Sequence, residues 1–482
     1  MARKDRNDSP DGSGANRAST SVEDLLLAAL ERGDNSGATG RYLVTFKEGA
    51  GEEGLQSLQS QGLRVANARD FGDQAVAFED IGDADTLVFP EIGVALVGGD
   101  PAQERSLTAA AELATDSPVA SIDAERFVFA NQLFTDYGIG SVLPSPELMP
   151  LEYQHDFSHS TETPTSEYMR GFLRAAELIA RELGRPGTNG NGNGQSLSNG
   201  TSRHELELQE EVMVLGATWG LIACKVPQSA RSGLGIRVAV LDTGMDLGHP
   251  DFAGRSITTS TFVGQPVQDL FGHGTHCVGT ACGPKAPAGS TPRYGIGYRT
   301  SIYMGKVLNN QGSGTTATVL AGMNWAIANK CQVISMSLGG PGGVQPAYTA
   351  AGQAALNNGL LIVAAAGNSG SGVPTGAPAN SPTIMAVASL DANLAPSLYS
   401  QSGKVDIAGP GRDIFSAWPR PTLYKTISGT SMATPHVAGC AALWAESAAN
   451  LRGLALWRRL QAAARHLPYP ASRVGAGLVQ AP

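Results

Sequence analysis

The chain has 482 residues, more than one core usually organises, so length alone points to two or three units. With 34 lysines and arginines against 43 aspartates and glutamates, a net charge of −9 and no dense basic cluster, the balance argues against nucleic acid as a partner. Hydrophobic residues make up 42%, a globular composition, and the 60 glycines and 28 prolines require many tight turns or a flexible stretch.

The opening MARKDRNDSPDGSGANRAST is positively charged but is followed by no apolar core, so no secretory signal peptide is read. No apolar run approaches the roughly 20 residues that span a bilayer. The five cysteines (Cys224, Cys277, Cys282, Cys331, Cys440) are odd in number and form no CxxC pair, which indicates neither a zinc site nor a disulfide framework. Read as isolated buried thiols, they join the missing signal in favouring a reducing, cytoplasmic compartment, with unconventional secretion as the alternative.

Residues 1–39 are polar and are expected to be largely disordered, apart from a short helix around Val22 to Arg32. A first packed unit follows over 40–131. RYLVTFK (41–47) reads as a strand and Glu52 to Gln61 as a helix; GLRVANAR, QAVAFED and IGVALVGG read as further strands. A second helix over Ala102 to Ala114 and a closing strand VASIDAERFVFA (119–130) complete a small α+β domain of ferredoxin-like order. Residues 132–210 hold helical spacing over Ser166 to Leu183 and then GRPGTNGNGNGQSLSNGTS (184–202), which can bury no core and reads as a flexible, protease-sensitive linker. Over 211–482, IRVAVLD (236–242), SIYMGKVL (301–308), CQVISMSL (331–338), LLIVAAAG (360–367) and TIMAVASL (383–390) alternate with helical stretches. These runs are apolar on both faces, so the expected fold is α/β, a mainly parallel sheet flanked by helices, with its site beyond the carboxyl ends of the strands.

Three segments carry chemistry. VAVLDTGMDLGHPDF (238–252) delivers Asp242 at a strand end, where a buried carboxylate needs partners. GHGTHCVGT (272–280) places His273 at a helix start, and SGTSMATPHVAG (428–439) sets Ser431 just before another helix, with Pro435 read as lying in its first turn. Nucleophile, base and orienting acid make a set, because a serine hydroxyl attacks poorly until an imidazole takes its proton. The Asn368 side chain and the Ser431 backbone N–H are candidate donors to a developing oxyanion. His276 and His436 are read as local packing and hydrogen-bonding residues, His249 as a turn residue, and Cys277 as a thiol beneath His273.

In the order Asp, His, Ser, with AAGN between the last two, the motifs resemble those of the subtilisin-like serine proteases over residues 212–482. HGTHC and YGIGYRTSIYMGKVLNNQGSG (294–314) are similar to the proteinase K branch. The resemblance implies a serine endopeptidase acting on protein or peptide substrates, with Asp242, His273, Ser431 and Asn368 as its catalytic residues. It implies a cleft in which Gly312, Ser313 and Gly314 on one side and Ser337, Leu338 and Gly339 on the other pair with an extended peptide. Ala365, Ala366 and Gly367 would line the first specificity pocket, and Thr316 stands where many relatives carry an aromatic lid.

The same resemblance implies no cofactor for catalysis but a candidate structural calcium site at the carbonyls of Pro382 and Ile384 and the Asp406 carboxylate. CGPKAPAGSTPRYG (282–295) lacks the pattern of another family calcium loop, so Asp251 reads as a hydrogen-bond acceptor. Residues 40–131 resemble an inhibitor prodomain, which implies a zymogen that processes itself between Ala130 and Glu211, with the Gly/Asn linker as the expected exposed region. Two rivals stand beside hydrolysis. An acyl-enzyme released by an amine would make a peptide ligase, macrocyclase or leader-processing enzyme, against which the lack of a lid-like insertion speaks; an inactive binding module is opposed by the complete residue set.

Overall fold

The computed structural model describes residues 21–33, 36–98, 117–130 and 216–482. The helices expected over 102–114 and 166–183 and the Gly/Asn linker lie outside them.

In the N-terminal unit, β1 (Ala38–Phe46) lies between β4 (Val94–Val97) and β5 (Val119–Ala130), antiparallel to both. β3 (Thr86–Phe89) pairs antiparallel with β4, and the short β2 (Val65–Asn67) pairs parallel with β3. Side chains alternate across this sheet with period two. Val44, Val88 and Val97 pack on Leu58 of helix α2 (Gly51–Ser60), while Leu43, Leu87, Phe89 and Leu96 face the larger unit. QAVAFED is not a strand. Positive φ at Asp73 and Gln74 breaks the extended backbone, short 3-10 turns form at 72–74 and 78–80, and TLVF supplies β3 in its place. The short helix expected around Val22 to Arg32 is α1 (Val22–Glu31), where Ser21 caps the start and Ala29 is buried against Phe127 and Phe129 of β5.

The second sheet has seven strands in the order β14-β13-β12-β10-β6-β8-β7, all parallel: β6 (Arg237–Asp242), β7 (Ile257–Thr261), β8 (Ser301–Lys306), β10 (Val333–Met336), β12 (Leu361–Ala365), β13 (Met385–Leu390) and β14 (Ile407–Pro410). The five expected runs form its centre. After the short α3 (Trp219–Ala223), helices α4 (His273–Cys282), α5 (Thr316–Ala328), α6 (Pro346–Asn357), α7 (Thr430–Ser447), α8 (Gly453–Ala463) and α9 (Ala471–Val474) follow in chain order. Val238 and Val240 of β6 join the core beneath α4 and α7; Ala239 and Leu241 join the core beneath α5 and α6. A sheet buried on both faces in this way is the α/β architecture read from the sequence.

The two units share a seam. β5 extends past its own sheet and pairs antiparallel with β9 (Ser313–Thr315) on one side and β11 (Leu338–Gly339) on the other. Beside it the buried Glu125 carboxylate takes Arg41 at 2.6 Å, Thr39 Oγ1 at 2.6 Å and the Ala317 amide of the first turn of α5 at 3.2 Å. A third small sheet joins β15 (Ile414–Ala417) to β16 (Tyr424–Ile427).

Candidate active site

Asp242 ends β6, and its carboxylate is buried beneath α4. One oxygen, Oδ1, accepts from the Thr243 amide at 2.7 Å and lies 2.7 Å from His273 Nδ1. His273 opens α4 after Gly272, whose φ of +100° and whose contact with the Trp418 ring admit no side chain. Gly274 is equally constrained, since a Cβ there would fall 2.2 Å from the Gly244 carbonyl. Burial by itself disfavours the imidazolium, but the adjacent Asp242 carboxylate outweighs it and raises the His273 pKa well above its usual value.

Ser431 is the second residue of α7 and is buried. Cys277, one turn beyond His273, has its sulfur 3.9 Å from His273 Nδ1 and 3.7 Å from the Ser431 carbonyl, so imidazole and serine flank the same atom. Burial raises the pKa of this thiol, which keeps it protonated and a poor nucleophile. Ser431 Oγ donates to the Ser337 carbonyl at 3.0 Å, and His273 Nε2 has no hydrogen-bond partner. The hydroxyl is thus bonded to Ser337 and not to the imidazole, and it must leave the Ser337 carbonyl to donate to Nε2. Pro435 lies in the second turn of α7, not the first. Its missing N–H deprives the Ser431 carbonyl of a helical donor, and Ser337 Oγ fills that place at 2.7 Å.

Asn368 follows β12, with Oδ1 accepting from the Thr430 amide and hydroxyl, each at 2.9 Å; this fixes Nδ2 as the donating end of the amide. Ala365 and Ala366 are buried at the end of β12, and the Gly367 amide donates to Thr430 Oγ1 at 3.1 Å. The segments Gly312 to Gly314 and Ser337 to Gly339 flank an extended strand of the same chain. Ala130 donates to the Gly312 carbonyl at 2.9 Å, Val128 lies opposite Gly314, and Phe129 opposite Gly339. The Thr316 hydroxyl is engaged by the strand in the cleft: it accepts from the Arg126 amide and lies within donating distance of the Arg126 carbonyl and Gln345 Oε1.

Sequence reasoning missed Asp269: it stands three residues before Gly272, the residue that caps α4, so its place in the sequence gives no ordinary capping signal. Buried beside the site, it accepts from Gly272 N at 2.8 Å, Thr275 N at 2.9 Å, Thr275 Oγ1 at 2.7 Å and Thr243 Oγ1 at 3.0 Å. It therefore locks the start of α4 to the end of β6. Lys306, buried nearby, donates to the Thr243 carbonyl; burial lowers its pKa to about 8 against the pull of Asp269 and Asp242.

His276 and His436 bond main-chain carbonyls of Ile414 and Met432, and burial lowers their pKa values to about 3 and about 4, so both are neutral packing residues. His249 bonds the Leu423 carbonyl in its turn. Asp251 accepts from the hydroxyls of Tyr294 at 2.5 Å and Tyr424 at 3.0 Å. The thiols are not all isolated: Cys224 and Cys440 are both buried, and burial, with Cys440 beside it, raises the Cys224 pKa well above its usual value.

Asp242, His273 and Cys277 bring donor atoms within 4.8 Å of one another. The 2.7 Å contact between the carboxylate and imidazole is a hydrogen bond, and a protonated thiol completes no ligand set. The calcium site expected at Pro382, Ile384 and Asp406 is corrected by the structure. The Lys404 ammonium donates to the Ile384 carbonyl and, at 2.6 Å, to Asp406 Oδ2, whose oxygen also accepts from the Ala386 amide at 2.7 Å. These oxygens already hold a positive charge, and a second cation there would meet it directly. Added calcium is therefore expected to leave the thermal midpoint of the native chain unchanged at this locus. Lys404→Ala should lose roughly 1–3 kcal/mol by stranding these acceptors, and calcium should restore part of it. Calorimetry with calcium and with a chelator checks this, and a chelator-sensitive native chain beside an insensitive variant would refute it.

The model of the Subtilase family matches residues 233–477. Thermitase of Thermoactinomyces vulgaris is 43% identical over 226 residues, covering 46% of this chain and 79% of that protein. Subtilisin DY of Bacillus licheniformis is 37% identical over 251 residues, covering 51% and 89%. A solved structure of a cold adapted subtilisin-like serine proteinase is 34% identical, covering 55% of this chain and 97% of its own, with a TM-score of 0.48. Because the match fills the segment that carries the doubly covered parallel sheet, and the two curated relatives are spanned over most of their length, the chain belongs to the subtilase family and is a serine endopeptidase.

Proposed function

We propose that the chain is made as a self-inhibited zymogen and hydrolyses peptide bonds through an acyl-enzyme on Ser431. His273 Nε2 takes the Oγ proton as Oγ attacks the substrate carbonyl, and later returns it to the leaving amine. Asp242, bonded to Nδ1, fixes the tautomer and stabilises the imidazolium without taking the proton. The oxyanion is met by Asn368 Nδ2 and by the Ser431 amide, which sits in the first turn of α7 where backbone donors have no helical partner. Water then releases the acyl group.

The observation that supports this reading most is the seat of β5, an extended strand of the chain's own N-terminal unit held antiparallel between β9 and β11 and running towards Ser431. Backbone pairing of this kind accepts many sequences, and the side-chain sites between the bonds select among them. Val128 is buried with Leu338 and Ala317, so a branched aliphatic residue suits that subsite better than an aromatic one.

Register also indicates where the chain would be cut. Ala130 lies opposite Leu338, and the preceding residue of that segment, Ser337, is the one that Ser431 touches. The residue after Ala130 in sequence is Asn131, and we infer that the chain is cut between Asn131 and Gln132, one residue beyond the end of β5. Intact-mass measurement of the purified chain after incubation is expected to give a fragment beginning at Gln132, with a fluorophosphonate adduct on Ser431. Cleavage confined to the Gly/Asn linker, with β5 still covalently joined to the larger unit, would reject this maturation site.

A further inference from the structure

Helix α1 is not part of the inhibitor-like sheet, yet it touches the larger unit directly. Glu23 Oε1 accepts from Asn309 Nδ2 at 2.8 Å and from Gln265 Nε2 at 3.0 Å. Both amides are set for this before any carboxylate arrives. Asn309 Oδ1 is held by the Gln311 and Ser313 amides of the loop that leads into β9, at 3.0 and 2.9 Å, which fixes Nδ2 as the outward donor. Gln265 Oε1 is held by the Asn310 amide at 2.9 Å, which fixes its Nε2 in the same way. Two donors from separate loops thus converge on one oxygen, and the buried Lys306 ammonium lies close enough to feel the Glu23 charge. That is the donor set a carboxylate requires.

The rest of α1 lies across the strand in the cleft. Ala29 is buried against Phe127 and Phe129, the two β5 side chains that point away from the Val128 subsite, and Leu25 and Leu26 pack on the same patch. Val22 lines a crevice with Phe262 and Ala317 of the larger unit. A ten-residue helix is marginal on its own in water, so α1 draws its order from these contacts and in return adds their strength to the seating of β5.

We propose that Gln265 and Asn309 form a carboxylate-binding site through which α1, by Glu23, acts as a second inhibitory contact that keeps β5 in the cleft after the bond beyond it has been cut. This rests on the reading of β5 as the inhibitory strand. Once β5 has left, the same donors stand open beside the cleft to a carboxylate of comparable reach.

The test uses the full chain in native form and as Glu23→Ala and Ala29→Asp. All three are expected to process at the same bond, read by mass, while the lag before hydrolysis of a fluorogenic peptide shortens about 10-fold in each variant, the scale of losing hydrogen bonds to a charged group. In parallel, the same two changes in a Ser431→Ala background, which stays uncut, should speed hydrogen exchange of the 127–130 amides about 10-fold. Unchanged exchange overturns the clamp, as does an unchanged lag with normal processing. If none of the three chains processes, the zymogen reading fails, and the exchange measurement still decides the clamp.

Discussion

Ser431→Ala is expected to abolish self-processing and to lower kcat by roughly 10⁶-fold, the scale on which a serine nucleophile acts together with its base. The change is small in structural terms. It removes one hydroxyl, which donates to the Ser337 carbonyl, while the Ser431 backbone carbonyl keeps Ser337 Oγ and α7 still begins after Gly429. The variant should therefore unfold at nearly the native midpoint and run as one uncut chain. Residual turnover of a peptide substrate at more than about one-thousandth of the native rate would remove Ser431 from the nucleophile role. The same preparation separates self-processing from a contaminating protease, because cleavage at the native position in the variant must come from outside the chain.

Asn368→Ala should cost about 100- to 1,000-fold in kcat with little change in KM. A tetrahedral oxyanion exists only after attack, so a donor aimed at it contributes to the transition state and scarcely to the bound substrate. The carboxamide is pinned by Thr430, whose amide and hydroxyl both hold Oδ1, and the Thr430 hydroxyl in turn accepts from the Gly367 amide. The donating end is thus pre-oriented before substrate binds. Asn368→Asp should be at least as harmful, since it replaces the donor with an acceptor. If instead KM rose while kcat stayed constant, Asn368 would be a substrate-binding residue and the oxyanion would need another partner.

Much of this was legible along the chain. The five buried strands were readable because a parallel sheet covered on both faces leaves continuous apolar runs, and the motifs at their ends put Asp242 and Asn368 where the sheet terminates. Other elements were not. β7 (ITTST) and β14 are short or polar, and only their pairing with β8 and β13 makes them strands. QAVAFED has strand composition, yet left-handed backbone at Asp73 and Gln74 turns its buried Val76 and Ala77 into a loop plug. Lys404 stands two residues before Asp406, and nothing in that spacing says that its ammonium would fill the position expected for calcium.

What the sequence by itself determined is the chemistry: which residues could attack, accept a proton and hold a negative oxygen, and that they sit at strand ends and helix starts. Side-chain type and local periodicity carry that information because strands and helices are set by neighbours a few residues away. Only the tertiary structure decided what lies against the site. The pairing of β5 with β9 and β11 and the two amides converging on Glu23 each join residues far apart in the chain, and the Lys404 ammonium beside Asp406 also reaches back to the Ile384 carbonyl. Whether such groups meet depends on how whole faces pack, and no local pattern records that.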